Sequence, residues 1–185
     1  MKLNLGCGTN RKPGWHNVDN YRTCEPDELF DLERFPWPWA DGSAEEVLFN
    51  HSLEHMGQAP VVFIAIMREL WRVCAPAALI QINVPDPRHD NFMGDPTHVR
   101  PVTLGMLNLF SQRFNRQWIA DGAANTPLGL IHGVDFEVES HDRVFEQPWA
   151  ALRENNQITE ADLDDAARKF NNVIRMHRFL LVAIK

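Results

Sequence analysis

The sequence predicts an α/β fold built on a mostly parallel sheet. Short apolar runs typical of strands alternate along the chain with segments whose apolar residues recur at helical spacing, which favours parallel strands joined by helices. The first run ends in a Gly-x-Gly turn, Gly6-Cys7-Gly8, which leaves backbone N–H groups free at the rim of the sheet. Open α/β sheets bind nucleotide-like ligands at that rim. The length of 185 residues suits a single domain, which is predicted to span residues 1–185.

The strand-like segments begin with the run that precedes the Gly-x-Gly turn. In order they are Lys2–Leu5, His16–Asp19, Glu46–Asn50, Ala78–Val84 and Arg178–Ile184. The connection between the first two is shorter than the dozen or so residues that a parallel crossover through a helix needs. It also contains Pro13-Gly14, so the first helix is predicted to be reduced or absent.

Helical spacing is found in three later segments. Ile64, Met67, Leu70 and Trp71 are spaced to share one buried face. A second helix is predicted from Leu163 to Ile174, with Thr159 as its N-cap. A third is predicted over Thr103–Phe114, after a polar loop.

The ligand predicted for the Gly-x-Gly turn is nucleoside-like and lacks a pyrophosphate. A dinucleotide fingerprint requires a third glycine where this chain has Arg11, and no Gly-Lys-Ser/Thr follows as in a phosphate-binding loop. Asp19, at the end of the second predicted strand, is suited to accept hydrogen bonds from the hydroxyls of a ribose.

The segment Asn4-Leu5-Gly6-Cys7-Gly8-Thr9-Asn10 resembles motif I of class I S-adenosylmethionine-dependent methyltransferases, in particular the small methyltransferase type 11 family. The resemblance continues in order along nearly half the chain. The further similar blocks are Asp31-Leu32, Phe35-Pro36, Asp41–Ser43, Glu46–His55, Arg68–Val73 and Asn83–Asp86. This chain departs from the family pattern at Asn4, where an acidic residue is usual, and at Asn10, where a glycine is usual.

The resemblance implies a single Rossmann-like methyltransferase domain whose C-terminal strand is antiparallel. It implies S-adenosylmethionine as cofactor and transfer of its methyl group to a small or medium-sized acceptor, for which oxygen is the predicted site. The residues that it assigns to the cofactor are Gly6, Cys7, Gly8, Asn10, Asp19, Asn20, Asp31, Leu32 and His51. Two alternatives stay open: Asp19 only caps a turn with Asn20, and Asp31 only begins a loop.

The polar segment that follows the Ala78–Val84 strand is predicted to lie over the acceptor, because it leaves the sheet at the carboxyl ends of the strands. His89 and His98 are the candidate general bases, with His51 and His55 as rivals. Residues 86–102 are predicted to form a lid. Five residues of this segment could ligate a divalent ion, but their spacing matches no defined metal motif and no metal is predicted: Asp86, His89, Asp90, Asp95 and His98.

Two tryptophans, Trp37 and Trp39, are each preceded by a proline. Packing against the sheet is the favoured role of Trp37. For Trp39 both packing and an aromatic wall for a ring-bearing acceptor stay open.

Charge and hydropathy indicate which kinds of partner the protein is expected to have. A net charge of −7 indicates no nucleic-acid partner, because phosphates require a basic surface. The longest apolar run, Val61–Met67, is far shorter than a membrane span, and no secretion signal is found. A cytoplasmic protein with a small-molecule acceptor is therefore expected, and its oligomeric state is left open.

Two rival functions remain from the sequence. The departures in motif I and the reduced first helix keep open a catalytically silent module that binds S-adenosylmethionine or S-adenosylhomocysteine. A nicotinamide-dependent dehydrogenase ranks third, because its fingerprint is broken at Arg11.

Overall fold

A computed structural model describes all 185 residues and places seven strands in one sheet of order β3-β2-β1-β4-β5-β7-β6. Only β7 runs antiparallel to its neighbours, β5 and β6, while the other pairs are parallel. The predicted mostly parallel sheet with an antiparallel C-terminal strand is confirmed. The strands are β1 (Lys2–Leu5), β2 (His16–Asp19), β3 (Glu28–Leu29), β4 (Ala44–Asn50), β5 (Cys74–Pro85), β6 (Phe136–Phe145) and β7 (Ile174–Ala183).

The longest helix, α1, connects β4 to β5, and the other helices follow β5. They are α1 (Pro60–Val73), α2 (Asp90–Met93), α3 (Leu104–Asn108), α4 (Gln112–Ala120), α5 (Leu128–His132), α6 (Trp149–Glu154) and α7 (Glu160–Lys169). None of these helices has the length and apolar character that crossing a membrane requires.

Two strands, β3 and β6, were not predicted from the sequence, for physical reasons. β3 has only two residues, too few to show a pattern. β6, with the sequence FEVESHDRVF, is largely polar and only its first and last residues are buried. It lies at the edge of the sheet and pairs with β7 alone, a position that tolerates charged side chains.

Two of the predicted helices differ from the structure: one is divided into two helices, and the other ends earlier than predicted. The segment Thr103–Phe114 is not one helix, because the Ser111 hydroxyl accepts a hydrogen bond from the Phe114 N–H and starts α4 as a new helix. The second correction concerns α7, which is capped by Thr159 as predicted but ends at Lys169. Ile174, which the prediction placed in this helix, is the first residue of β7.

No helix connects β1 to β2, as predicted, and a network of polar side chains supports the connecting loop instead. Asn4 is 1% exposed, and its amide donates to the Asn10 carbonyl at 3.1 Å and to the Asn17 side-chain oxygen at 2.9 Å. That Asn17 oxygen also accepts from the Lys12 N–H at 2.7 Å. Leu3 and Leu5, which flank Asn4 and project to the opposite face, are fully buried.

The hydrophobic core surrounds the central strands and the inner face of α1. On that helix Met67 and Leu70 are buried as predicted, whereas Ile64 and Trp71 are only half-buried at its margin. Trp37 and Trp39 both belong to the core and contact each other edge to face, with ring centroids 5.6 Å apart. Packing therefore accounts for both tryptophans.

Candidate functional site

A cavity of about 500 Å³ opens where the chain leaves the carboxyl ends of β1, β2, β3 and β4. Its volume lies within the range of small-molecule sites. Most of the residues that the sequence assigns to a cofactor line it, namely Gly6, Gly8, Asp19, Asn20, Asp31, Leu32 and His51. Cys7 and Asn10 do not.

The turn after β1 packs closely against the turn after β4 and is hydrogen-bonded to it. Gly6 has φ +67, and a Cβ at this position would lie 2.5 Å from Ser52 Cβ, so no larger residue fits without a shift. The Ser52 hydroxyl donates to the Leu5 carbonyl at 2.7 Å. The N–H groups of Gly6 and Cys7 both donate to the Val18 carbonyl, which ties the same turn to β2.

Asp19 holds the rim of the cavity together. One carboxylate oxygen accepts from the Gly8 N–H at 2.8 Å, and the other accepts from the Tyr21 N–H at 2.9 Å. The turn-shaping role left open by the sequence is thus present. Each oxygen of an ionised carboxylate can accept a second hydrogen bond, so these contacts leave capacity for a ligand.

Asp31 and Leu32 follow β3 on the other side of the cavity. The Asp31 carboxylate accepts from the Glu33 N–H at 3.0 Å, and its second oxygen is 3.6 Å from Arg34 Nε. Leu32 is 4% exposed and joins the core. Phe30, half-buried, also lines the cavity and adds apolar surface that sequence reasoning missed.

Cys7 and Asn10 belong to the turn and loop after β1 but not to the lining of the cavity. Burial, together with the nearby negative charge of Asp19, raises the pKa of the Cys7 thiol to about 11, so the thiol stays protonated. The Asn10 carbonyl is occupied by the Asn4 amide. Neither residue lines the cavity. For Cys7 the resemblance implies only a backbone contact, which the position of its side chain does not contradict.

The turn after β4 brings two histidines and a glutamate to the cavity. His51 adopts a positive φ of 54, uncommon for a residue with a side chain, and lines the cavity together with His55. Glu54 is 1% exposed, and neither carboxylate oxygen has a hydrogen-bond partner. His51 Nδ1 is 3.5 Å from Glu54 Oε1 without forming a hydrogen bond.

Of the two candidate bases on the segment after β5, the structure brings only His98 to this group. The His98 ring contacts the His55 ring edge to face, with centroids 4.5 Å apart. His89 is buried elsewhere: its Nδ1 accepts from the Asn91 N–H at the start of α2, and its Nε2 is 3.3 Å from Glu146. Because both of its nitrogens have protein partners away from the cavity, His89 is badly placed for a base.

A row of polar side chains across β5, β7 and β6 was not visible in the sequence, because β6 was not predicted. His177 lies between Asp86 and His141, at 2.8 Å from each. Burial disfavours ionisation of Asp86, but the hydrogen bonds from His177 and the Arg88 N–H prevail and lower its pKa. Burial, reinforced by His177, lowers the pKa of His141 to about 4.

No protein-family model matches the chain, and no curated protein matches it in sequence. Solved structures do match its fold. One is a SAM-dependent methyltransferase from Archaeoglobus fulgidus, with a TM-score of 0.60 and 16% identity, covering 98% of this chain and 85% of its own. Another is the 1,6-didemethyltoxoflavin-N1-methyltransferase of Burkholderia thailandensis with bound 1,6-didemethyltoxoflavin and S-adenosylhomocysteine, with a TM-score of 0.52, 12% identity, and coverage of 100% and 71%.

The [4+2]-cyclase SpnF also matches, with a TM-score of 0.54 and 14% identity over 99% of this chain and 75% of its own. At these identities the likeness shows the fold. The chain has the class I fold of S-adenosylmethionine-dependent methyltransferases, and its cavity lies at the carboxyl ends of the strands, where open α/β sheets bind ligands.

Proposed function

We propose that the protein is an S-adenosylmethionine-dependent methyltransferase that acts on a small or medium-sized acceptor, at an oxygen atom. The observation that carries the proposal is the cavity at the ends of β1 to β4. It combines the Gly6–Gly8 turn with two carboxylates, Asp19 and Asp31, in the order along the strands that the family resemblance implies.

The residues present fit such a cofactor chemically. The remaining acceptor capacity of Asp19 suits the two hydroxyls of a ribose, and Asp31 suits an exocyclic amino group. Phe30 and Leu32 supply apolar surface for a purine ring beside Asp31. The backbone of the Gly6–Gly8 turn would face the methionine part.

The chain contributes mainly alignment and exclusion of water to such a reaction. When bound, S-adenosylmethionine supplies an already activated methyl group. Holding two reactants in line can contribute about 7–11 kcal/mol to lowering a barrier. A group that removes a proton is needed only for an acceptor that arrives protonated. Of the two candidate bases on the segment after β5, His98 is the better placed, because its ring contacts that of His55 at the cavity. Its Nδ1 is bound to the Phe92 carbonyl, which leaves Nε2, 3.8 Å from Asp95 Oδ2, for that task.

Calorimetry with four ligands tests the binding part of the proposal. S-adenosylmethionine and S-adenosylhomocysteine should bind saturably, and NAD and ATP should not. Incubation with S-adenosylmethionine and acceptor extracts, followed by mass spectrometry for a gain of about 14 daltons, tests the transfer. Saturable binding of NAD without response to either adenosyl ligand would overturn the proposal.

A second candidate is a module that binds the cofactor without catalysis. It is favoured by the absence of the first helix, whose place a polar network takes, and by the departures from the family pattern at Asn4 and Asn10. Binding without transfer to any acceptor would support it. The single domain, the cytoplasmic location and the absence of a nucleic-acid partner remain predictions from sequence.

A further inference from the structure

Three side chains with metal-ligating atoms converge beside the cavity. Glu54, His55 and His98 each offer one such atom, and these atoms all lie within 4.8 Å of one another. Glu54 and His55 come from the turn after β4, and His98 comes from the segment after β5. This set differs from the one that the sequence suggested for a metal, with which it shares only His98.

The buried Glu54 carboxylate is the first independent indication of a ligand. It is 1% exposed, and neither oxygen accepts a hydrogen bond. Buried polar groups in native proteins are nearly always paired, and an exception points to a missing water or ion. A cation held between this carboxylate and the two imidazoles would supply the partner that the protein itself does not provide.

The hydrogen bonds of the two histidines are a second indication. His98 Nδ1 lies 3.0 Å from the Phe92 carbonyl, which can only accept, so Nδ1 carries the proton. His55 Nδ1 lies 2.9 Å from the Thr97 hydroxyl, whose own proton is donated to Asp95 at 2.6 Å. In the neutral form of His55 the proton is therefore also on Nδ1, and in the neutral form of both rings Nε2 carries the lone pair. Metal-binding histidines are oriented by their second nitrogen in this way.

The backbone fixes the two ligand-bearing segments to each other. The N–H groups of Val99 and Arg100 both donate to the Glu54 carbonyl, at 2.9 and 3.0 Å. The Arg100 guanidinium donates to the Gly57 carbonyl at 3.0 Å through Nε. The three side chains are thus held close together by contacts that do not involve them.

We propose that Glu54, His55 and His98 form a binding site for a divalent first-row transition metal. Two imidazoles and one carboxylate are a ligand set of catalytic zinc sites and suit several other ions of this series. Three protein ligands leave coordination positions open, and His55 lines the cavity, so an open position is accessible from it.

The role of the metal deepens the proposed function and rests on it. The acceptor hydroxyl would bind at an open position, where a cation lowers its pKa. Its O–H bond breaks and the proton leaves to solvent. An electron pair of the oxygen then forms the bond to the methyl carbon, while the pair of the breaking C–S bond returns to sulfur. S-adenosylhomocysteine and the methylated acceptor result, and His98 acts as a metal ligand instead of a base.

Metal binding is tested on the whole chain without any acceptor. Protein stripped with a chelator is titrated with Zn²⁺ and, separately, Mn²⁺ by calorimetry, and bound metal is counted by elemental analysis. We expect one ion per chain for at least one of the two metals. Glu54→Gln, His55→Gln and His98→Gln should each weaken binding at least about tenfold, since even an outer-shell partner of a ligand contributes 10- to 100-fold. His132→Gln is the matched control, because His132 lies in a different cavity.

Thr97→Val separates a metal site from a group of side chains that merely pack together. The hydroxyl of Thr97 touches His55 and belongs to no ligand, so its removal should weaken metal binding about 10- to 100-fold. Circular dichroism checks the fold of each variant. Should Glu54→Gln fail to fold, the exposed His55 decides the question.

Absence of stoichiometric binding of both metals would overturn the proposal, and so would equal weakening by His132→Gln. Failure of the metal site and failure of the proposed function are distinguishable. Metal-free protein that still binds S-adenosylmethionine and transfers its methyl group at an undiminished rate would remove the catalytic role and leave the methyltransferase. Zinc binding that responds to Glu54→Gln, in a protein with no affinity for S-adenosylmethionine, would leave the site and remove the function.

Discussion

Replacing Asp19 by alanine separates the turn-shaping role that the structure shows for this carboxylate from the ribose contact that we propose for it. Asp19 accepts from the N–H groups of Gly8 and Tyr21 at the rim of the cavity. The remaining acceptor capacity of both oxygens is available to the ribose of the proposed cofactor. Asp19→Ala should therefore weaken cofactor binding and also lower the free energy of unfolding, for different physical reasons.

The two losses can be given magnitudes. A hydrogen bond to a charged group contributes about 1.5–3 kcal/mol, so the dissociation constant of S-adenosylhomocysteine should rise about 10- to 150-fold. Each of the two backbone N–H groups also loses its bond to the carboxylate, but water can replace that bond at this half-exposed turn, so a net loss of only about 0.5–1.5 kcal/mol is expected for each. The free energy of unfolding should fall by about 1–3 kcal/mol.

Calorimetry with S-adenosylhomocysteine and urea denaturation measure the two effects on the same preparation. Asp135→Ala is the matched control, because the Asp135 carboxylate also accepts a backbone N–H, that of Gln112 at 2.8 Å, outside the cavity. The Asp135→Ala control should have a lower free energy of unfolding and an unchanged affinity for S-adenosylhomocysteine. If Asp19→Ala behaves like the control, Asp19 only shapes the turn and the ribose assignment is refuted.

Three further changes test other parts of the structure. Gly6→Ala should lower the free energy of unfolding by at least about 1–2 kcal/mol, and by more than Gly8→Ala. Both glycines have positive φ, but only at Gly6 would a Cβ collide with another residue. Urea denaturation curves that show equal losses for the two variants would contradict this. His89→Gln should reduce stability but leave methyl transfer per folded molecule unchanged, whereas a loss of turnover equal to that of His98→Gln would restore His89 as the base. The folded-state pKa of His141, about 4, lies below the ordinary value of 6.5, so the unfolded chain binds more protons between these values. The free energy of unfolding should therefore fall as the pH is lowered from about 6.5 to about 4, and His141→Phe should flatten that slope in denaturation curves recorded across this range.

The sequence predicted best those features that depend on neighbouring residues. The bounds of β1 and β2 and the capping of α7 by Thr159 are as predicted, because a short strand next to a turn and a capping hydroxyl are both determined by neighbouring residues. β6 could not be predicted, since its polar residues are stabilised by pairing with β7, which is distant in sequence. The absence of the first helix could be predicted from the short connection between β1 and β2. The hydrogen bonds between Asn4 and Asn17 that support this connection could not.

The sequence shows which residues could be metal ligands, but only part of their arrangement can be predicted from it. The His-x-x-Glu-His segment directly after β4 is visible in the sequence, and so is His98 after β5. Since β4 and β5 are parallel neighbours, their carboxyl ends must lie side by side, so the convergence of these residues follows once the strand order is known. Burial of Glu54 without a partner, and the protons fixed on Nδ1 of two imidazoles, do not follow from strand order. The two Nδ1 protons depend on one carbonyl and one hydroxyl of the segment after β5. The unpartnered Glu54 carboxylate beside these two imidazoles favours a bound cation over a pair of unassisted histidine bases.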